Sequence, residues 1–173
     1  MLKAKAAHQS LTTMTEMVLP NDTNTLNNLM GGRLLHWMDI CAAIAAQKHA
    51  NRTVVTASVD SVSFVEAIQL GDIVTMEAKV TRAFNSSMEV YIKVWAQNIS
   101  AGEAATKTNS AFYTFVAVDQ SGRPIEVPQA TAETDEEKEL FASALRRRQL
   151  RLVLAGRMKP TEAVELRALF ELG

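Results

Sequence analysis

The chain has 173 residues, 47% hydrophobic and 21% charged, with 18 basic and 19 acidic side chains, three histidines and one cysteine. That length buries a sizeable core in a single domain, and a net charge of -1 gives no global attraction to nucleic acid or to an anionic membrane surface. One cysteine excludes an internal disulfide and any multi-cysteine metal site, which points to a reducing cytoplasm. The charges are unevenly distributed: residues 1–132 hold 10 basic and 11 acidic groups, residues 133–173 hold 8 of each. The pattern predicts a charge-poor body, residues 1–130, and a charge-dense helical extension, residues 131–173.

The first ten residues carry two lysines with no apolar run behind them, unlike a secretory signal. The longest unbroken apolar run, Ile40 to Ala46, is too short to cross a bilayer. Leu11 to Leu19 is rich in Thr, Met and Val and stops at Pro20, with Asn21, Asp22 and Asn24 behind it, so a strand leads into a loop. From Leu29 to Ala46, 13 of 18 positions are apolar. Such a helix is expected to be buried nearly all round, with Ala42, Ala43, Ala45 and Ala46 admitting close neighbours.

After Asn51 the period changes to two. Val54 to Val65 reads as a strand, and Gly71-Asp72 as a turn. Val74, Met76, Ala78 and Val80 then alternate with Thr75, Glu77, Lys79 and Thr81. Asn85-Ser86-Ser87 turns the chain into Met88, Val90, Ile92 and Val94, and Ser100-Ala101-Gly102 turns it into Thr106 to Val118. The body is thus expected to be α+β: a strand, a buried helix and four long strands in an antiparallel meander wrapped around that helix. In the extension, Thr134 and Glu137 fit a capping box for a helix ending near Gly156, and Pro160-Thr161 could start a second short one.

Asp39 is the most informative residue. A carboxylate in the middle of an apolar helix costs several kcal/mol to bury unless it is bonded or reaches solvent, so it is either catalytic or structural, capping a neighbouring loop or paired with Arg33 or His36. Gly31-Gly32 at the helix start would expose backbone N–H groups to a developing negative charge, or simply pack tightly. Asn24 either stabilises its turn or offers its amide to a carbonyl or a water. Together they match the needs of water attack on an acyl group. No Ser sits in a Gly-x-Ser-x-Gly elbow, and His8, His36 and His49 give no His-x-x-x-His zinc pair. His49 is expected to complement the helix dipole. Cys41 reads as an inert small hydrophobe, and Arg146, Arg147, Arg148 and Arg151 as a solvated helix surface or a phosphate-binding run.

In order, Leu19-Pro20-Asn21-Asp22-Thr23-Asn24, Gly31-Gly32-Arg33-Leu34-Leu35, Met38-Asp39, Val54-Val55-Thr56 and Gly71-Asp72 resemble the hotdog-fold acyl-CoA hydrolase family over about residues 11–128. The resemblance implies an antiparallel sheet wrapped around a long central helix, and hydrolysis of acyl-CoA to acid and CoA without metal or organic cofactor. It implies that Asp39 is the base or nucleophile, that Asn24 positions water or thioester in a site shared by two protomers, and that Gly31 and Gly32 bind the thioester carbonyl. Thr56 is implied to orient Asp39. Where the family often has Gly, three residues after Asn24, this chain has Asn27, which also tolerates left-handed angles. Arg33, Arg82, Ser86, Ser87 and Lys107 are candidates for the CoA phosphates. The assembly implied is a homodimer, commonly repeated as a trimer of dimers, hence a hexamer. Two other readings stand beside this one: a non-catalytic acyl-CoA or nucleotide-binding hotdog module, and hydration of an enoyl thioester, for which the loop lacks the usual His.

Overall fold

The computed structural model describes residues 2–170. In chain order its elements are β1 (Lys5–Ala6), β2 (Thr12–Met17), α1 (Gly31–Ala50), β3 (Thr53–Asp60), β4 (Ile73–Ala83), β5 (Ser87–Gln97), β6 (Thr106–Val118), β7 (Ala130–Thr131), α2 (Asp135–Leu154) and α3 (Val164–Arg167). The chain divides into two compact units, Met1–Thr131 and Ala132–Gly173.

In the first unit, β2 to β6 form one antiparallel sheet in the order β2-β4-β5-β6-β3. The alternation read from the sequence sets its inner face. Val74, Met76, Ala78 and Val80 of β4 and Met88, Val90, Ile92 and Val94 of β5 are all fully buried. They meet Met38, Cys41, Ala42, Ala45 and Ala46 of α1, also fully buried, where alanines and a cysteine let helix and sheet approach closely. This is the hotdog architecture, α+β. Burial pushes the Cys41 thiol up to about 11, so the thiolate that would make it reactive does not form near neutral pH.

The expected four-strand meander is corrected in one respect. β4, β5 and β6 form it, but β3 crosses to the far edge and pairs with β6, from Thr53 opposite Val118 to Asp60 opposite Phe112. The segment between β3 and β4 is long enough to carry the chain around the sheet instead of closing a hairpin. The strand also stops at Asp60, short of the expected Val65, because Ser61 takes a left-handed φ of 57° that ends a pleated run.

α1 departs from expectation at its ends and on one face. It runs to Ala50, where Asn51 closes it with φ 52°. The residue that complements its C-terminus is Lys5, whose Nζ donates to the carbonyls of Lys48 (3.2 Å) and His49 (2.7 Å). His49 cannot act as the expected cation: its side chain is buried, Nε2–H donates to the Pro128 carbonyl at 2.8 Å, and desolvation lowers its pKa. Nor is the helix buried all round. Ile40 and Ile44, one turn apart, stay more than a third exposed, beside exposed His36 and half-buried Arg33 and Asp39.

In the second unit, Thr134 and Glu137 form the capping box: Thr134 Oγ1 accepts from Glu137 N at 3.2 Å and Glu137 Oε2 from Thr134 N at 3.2 Å. α2 ends at Leu154 before Gly156 (φ 67°). Arg147 folds onto its own helix, donating to Ser143 Oγ and to the Leu140 carbonyl. Leu166 N donates to Gln149 Oε1 at 2.9 Å, which ties α3 to α2.

Candidate active site

Asp39 sits in the third turn of α1, half-buried, and its Oδ1 accepts a 2.8 Å hydrogen bond from Thr56 Oγ1 on β3. Local strand geometry delivers that hydroxyl. Thr56 lies opposite the buried Phe115, on the face turned to α1, and the β3–β6 register shifts at once, between Thr56 and Ser58. The bulge rotates the following residues away, so the strand presents Thr56 to the helix and Ser58 to the other face. Tyr113, from the inner face of β6, donates its hydroxyl to the Leu35 carbonyl at 3.2 Å. Burial, and then the charge of Asp39, raise its pKa, so the phenol keeps its proton beside the carboxylate.

Asp39 does not pair with Arg33 or His36: Arg33 Nε lies 3.0 Å from Asp22 Oδ1, and among the described residues the side chain bonded to Asp39 is Thr56. Asp22 is the clamp of the loop before α1. Buried, it also accepts Leu19 N on Oδ2 at 3.0 Å, and its carbonyl accepts Met30 N at 2.9 Å. Through its carboxylate and its carbonyl, Asp22 thus ties both ends of the loop to the start of α1.

Within that loop, Asn24 Oδ1 accepts from Leu26 N (2.9 Å) and Asn28 N (3.2 Å). Two backbone donors fix which end of the amide is oxygen, and Asn24 is exposed. Asn27 adopts φ 59°, the left-handed angle expected of it, and its carbonyl accepts Leu70 N at 2.9 Å.

Gly31 and Gly32 are the first two residues of α1. The first helical turn closes on the Met30 carbonyl from Arg33 N (3.0 Å) and Leu34 N (3.1 Å), so the two glycine amides precede the helix's own hydrogen bonds and lie at its positive end. Their surroundings differ. A Cβ on residue 31 would stand 3.2 Å from Phe64 Cζ, whereas one on residue 32 would meet nothing within 4 Å. Beside Gly31 opens a groove of about 460 Å³ lined by Leu29, Leu34, Phe64, Val65 and Ile68.

The fold therefore joins Asp39 to Thr56 and Gly31 to Gly32, but does not gather all five catalytic candidates. Gly31 and Asp39 are eight residues apart on α1, about 12 Å along the axis, and the side-chain bonds of Asn24 stay within its own loop. The phosphate candidates are scattered too. Arg33 is held by Asp22; Arg82 stacks over Phe84, 5.6 Å to the ring centre; and Ser86 and Ser87 lie at the β4–β5 turn. Lys107, second in β6, lies opposite Trp95, its Nζ 3.4 Å from Tyr91 Oη. β5 separates Ser87 from Trp95 by eight residues, about 26 Å, so Lys107 and the turn cannot grip one phosphate in one chain. The strand reading of Val54 to Val65 took in Phe64 and so missed its place beside Gly31.

A hotdog sheet around a helix with a mid-helix carboxylate and paired glycines at its start defines a class of thioester-acting proteins, and comparison narrows it. Residues 26–103 match the thioesterase superfamily. The chain is 42% identical over 139 residues to the uncharacterized acyl-CoA thioester hydrolase YkhA of Bacillus subtilis, covering 80% of each. It belongs to this family of acyl-CoA thioester hydrolases within the thioesterase superfamily. A crystal structure of an apo-hexameric acyl-CoA thioesterase superposes with a TM-score of 0.85 at 44% identity, over 89% of this chain and 98% of that one. The acyl-CoA hydrolase of Staphylococcus aureus in complex with butyryl coenzyme A, coenzyme A and coenzyme A disulfide gives 0.81 at 36% identity, over 95% and 99%. That hydrolase has also been solved with an asparagine, an aspartate or a threonine replaced by alanine. Some relatives are longer: the chain spans 35% of the human cytosolic acyl coenzyme A thioester hydrolase, at 34% identity.

Proposed function

We propose that this chain hydrolyses acyl-CoA thioesters to a carboxylic acid and CoA, with Asp39 as the base that activates water. The observation that carries the reading is the Thr56–Asp39 hydrogen bond. It fixes the carboxylate through Oδ1 and leaves Oδ2 without a hydrogen-bond partner among the described residues, available to a water. Asn24 Nδ2 helps place that water or the thioester, and the Gly31 and Gly32 amides stabilise the tetrahedral oxyanion. Base, positioning amide and oxyanion donors are all supplied by the chain, so this chemistry calls for no metal or organic cofactor. The spacing of the S. aureus replacements supports the assignment. Its asparagine, aspartate and threonine are separated by fifteen and seventeen residues, as Asn24, Asp39 and Thr56 are here. A cytoplasmic location, in line with the cytosolic human relative, goes with this reading.

The 12 Å between Gly31 and Asp39 makes the site bimolecular in this reading. One thioester cannot touch both within one helix, but an antiparallel pair of α1 helices brings the start of one to the middle of the other. The chain carries surfaces suited to such pairing. β3 is a sheet edge with Val55 and Val59 exposed, and α1 exposes Ile40 and Ile44. An unpaired edge beside an apolar helix face is the geometry of an isologous dimer, and a trimer of such dimers would match the hexameric relative.

The test is thiol release from a panel of acyl-CoA esters, with enoyl absorbance followed in parallel. Wild type should release thiol and Asp39→Asn should lose about a hundredfold or more. Equal rates would remove Asp39 from the mechanism, and saturable binding without release would favour a non-catalytic module.

A further inference from the structure

Phe64 has no part in the water attack, yet it stands directly against the place where the thioester carbonyl is proposed to bind. The tip of its ring faces Gly31: a Cβ there would lie 3.2 Å from Cζ, 3.4 Å from Cε1 and 3.5 Å from Cε2. Phe64 is 54% exposed and Val65 78% exposed, an arrangement with no packing rationale within one chain. Phe64 and Val65 nonetheless line, with Leu29, Leu34 and Ile68, the groove of about 460 Å³ that starts at Gly31.

The segment carrying the ring is tethered at one end and loose in the middle. Ile68 is buried, and its carbonyl accepts Leu29 N at 2.7 Å. Residues 61–67 make no backbone–backbone hydrogen bond among the described residues, so the ring can shift without breaking secondary structure.

From this we infer that Phe64 is the acyl-chain gate: its ring forms the wall met by the acyl group of a thioester held at the Gly31 and Gly32 amides, and so sets the acyl length accepted. The inference rests on the hydrolase reading. The lining is apolar apart from Asn28 and Glu66, which suits methylenes and not the polar pantetheine arm. A short acyl chain ends at the ring, and a longer one has to displace it.

Thiol release should be measured across saturated acyl-CoA esters from two to sixteen carbons for wild type, Phe64→Ala and Phe64→Trp. Removing the ring should move the optimum at least two carbons longer, each newly buried methylene raising kcat/KM about fourfold. The indole should move it shorter. Far-UV circular dichroism and the urea midpoint of both variants, compared with wild type, separate a gate from a damaged fold. If wild type is active and both variants keep its length profile, the gate is refuted and the hydrolase reading survives. If wild type releases thiol from none of the esters, the hydrolase reading falls and the gate falls with it.

Discussion

Thr56 on β3 and Asp39 on α1 are joined by a 2.8 Å hydrogen bond between Oγ1 and Oδ1. The bond crosses from an edge strand to the central helix, at the point where a bulge turns β3. A hydroxyl bonded to a carboxylate contributes more than a neutral pair, about 1.5–3 kcal/mol, and here it also decides where the second carboxylate oxygen points.

Thr56→Val should therefore lower kcat about tenfold or more while leaving KM within about twofold, because the lost bond orients a reacting group and binds no substrate. Thr56→Ser should restore most of the rate. Steady-state kinetics on one acyl-CoA ester decides the matter, and a valine variant as fast as wild type would assign the bond to stability alone.

Gly31 and Phe64 make a second pair whose coupling can be read in stability. Replacing an ordinary helical Gly by Ala gains about 0.5–1 kcal/mol. At Gly31 the new methyl would press on the Phe64 ring at 3.2 Å, whereas at Gly32 it would meet nothing within 4 Å. Urea unfolding should show Gly32→Ala stabilising and Gly31→Ala neutral or destabilising. In the Phe64→Ala background Gly31→Ala should become stabilising, a double-mutant coupling that additive effects would contradict.

His49 predicts a pH dependence. Desolvation lowers its folded pKa below the ordinary 6.5, so above pH 6.5 it is neutral in both states and adds no slope. As pH falls below 6.5 the unfolded chain takes up the proton first, and stability drops by at most about 1.4 kcal/mol per pH unit until the folded state also protonates. Tm between pH 7.5 and 5 should fall more steeply for wild type than for His49→Gln, which can still donate to the Pro128 carbonyl. Parallel curves would show that His49 does not govern this slope.

Local pattern made much of the fold legible. The alternation from Val74 to Val80 and from Met88 to Val94 specifies a buried face, and Thr134 with Glu137 marks the start of α2, because periodicity and capping involve neighbours in sequence. Asp39 was legible for a related reason, as a charge where the pattern called for none. What escaped were long-range choices. Nothing within Thr53–Asp60 says that it pairs with β6 instead of β4, and nothing near His49 shows that Lys5, forty-four residues away, takes its place at the helix end. Ile40 and Ile44 read as core because an apolar residue in a helical run does not reveal whether its own chain covers it, and here they stay exposed. Phe64 was hidden because an apolar residue after a β-branched run looks like more strand, until Ser61 turns the backbone.

The central claim is that each site takes Asp39 from one protomer and the Gly31-Gly32 and Asn24 end of α1 from another. It is tested most directly by mixing two inactive variants, Asp39→Asn and Asn24→Ala, through refolding or coexpression, and measuring thiol release. In a mixed dimer, the intact Asp39 of one chain faces the intact Asn24 of the other, so one of its two sites is complete. Random mixing should then recover about a quarter of wild-type activity. If each chain houses its own complete site, every chain in the mixture is defective, and a mixture no more active than its separate components would contradict the shared site.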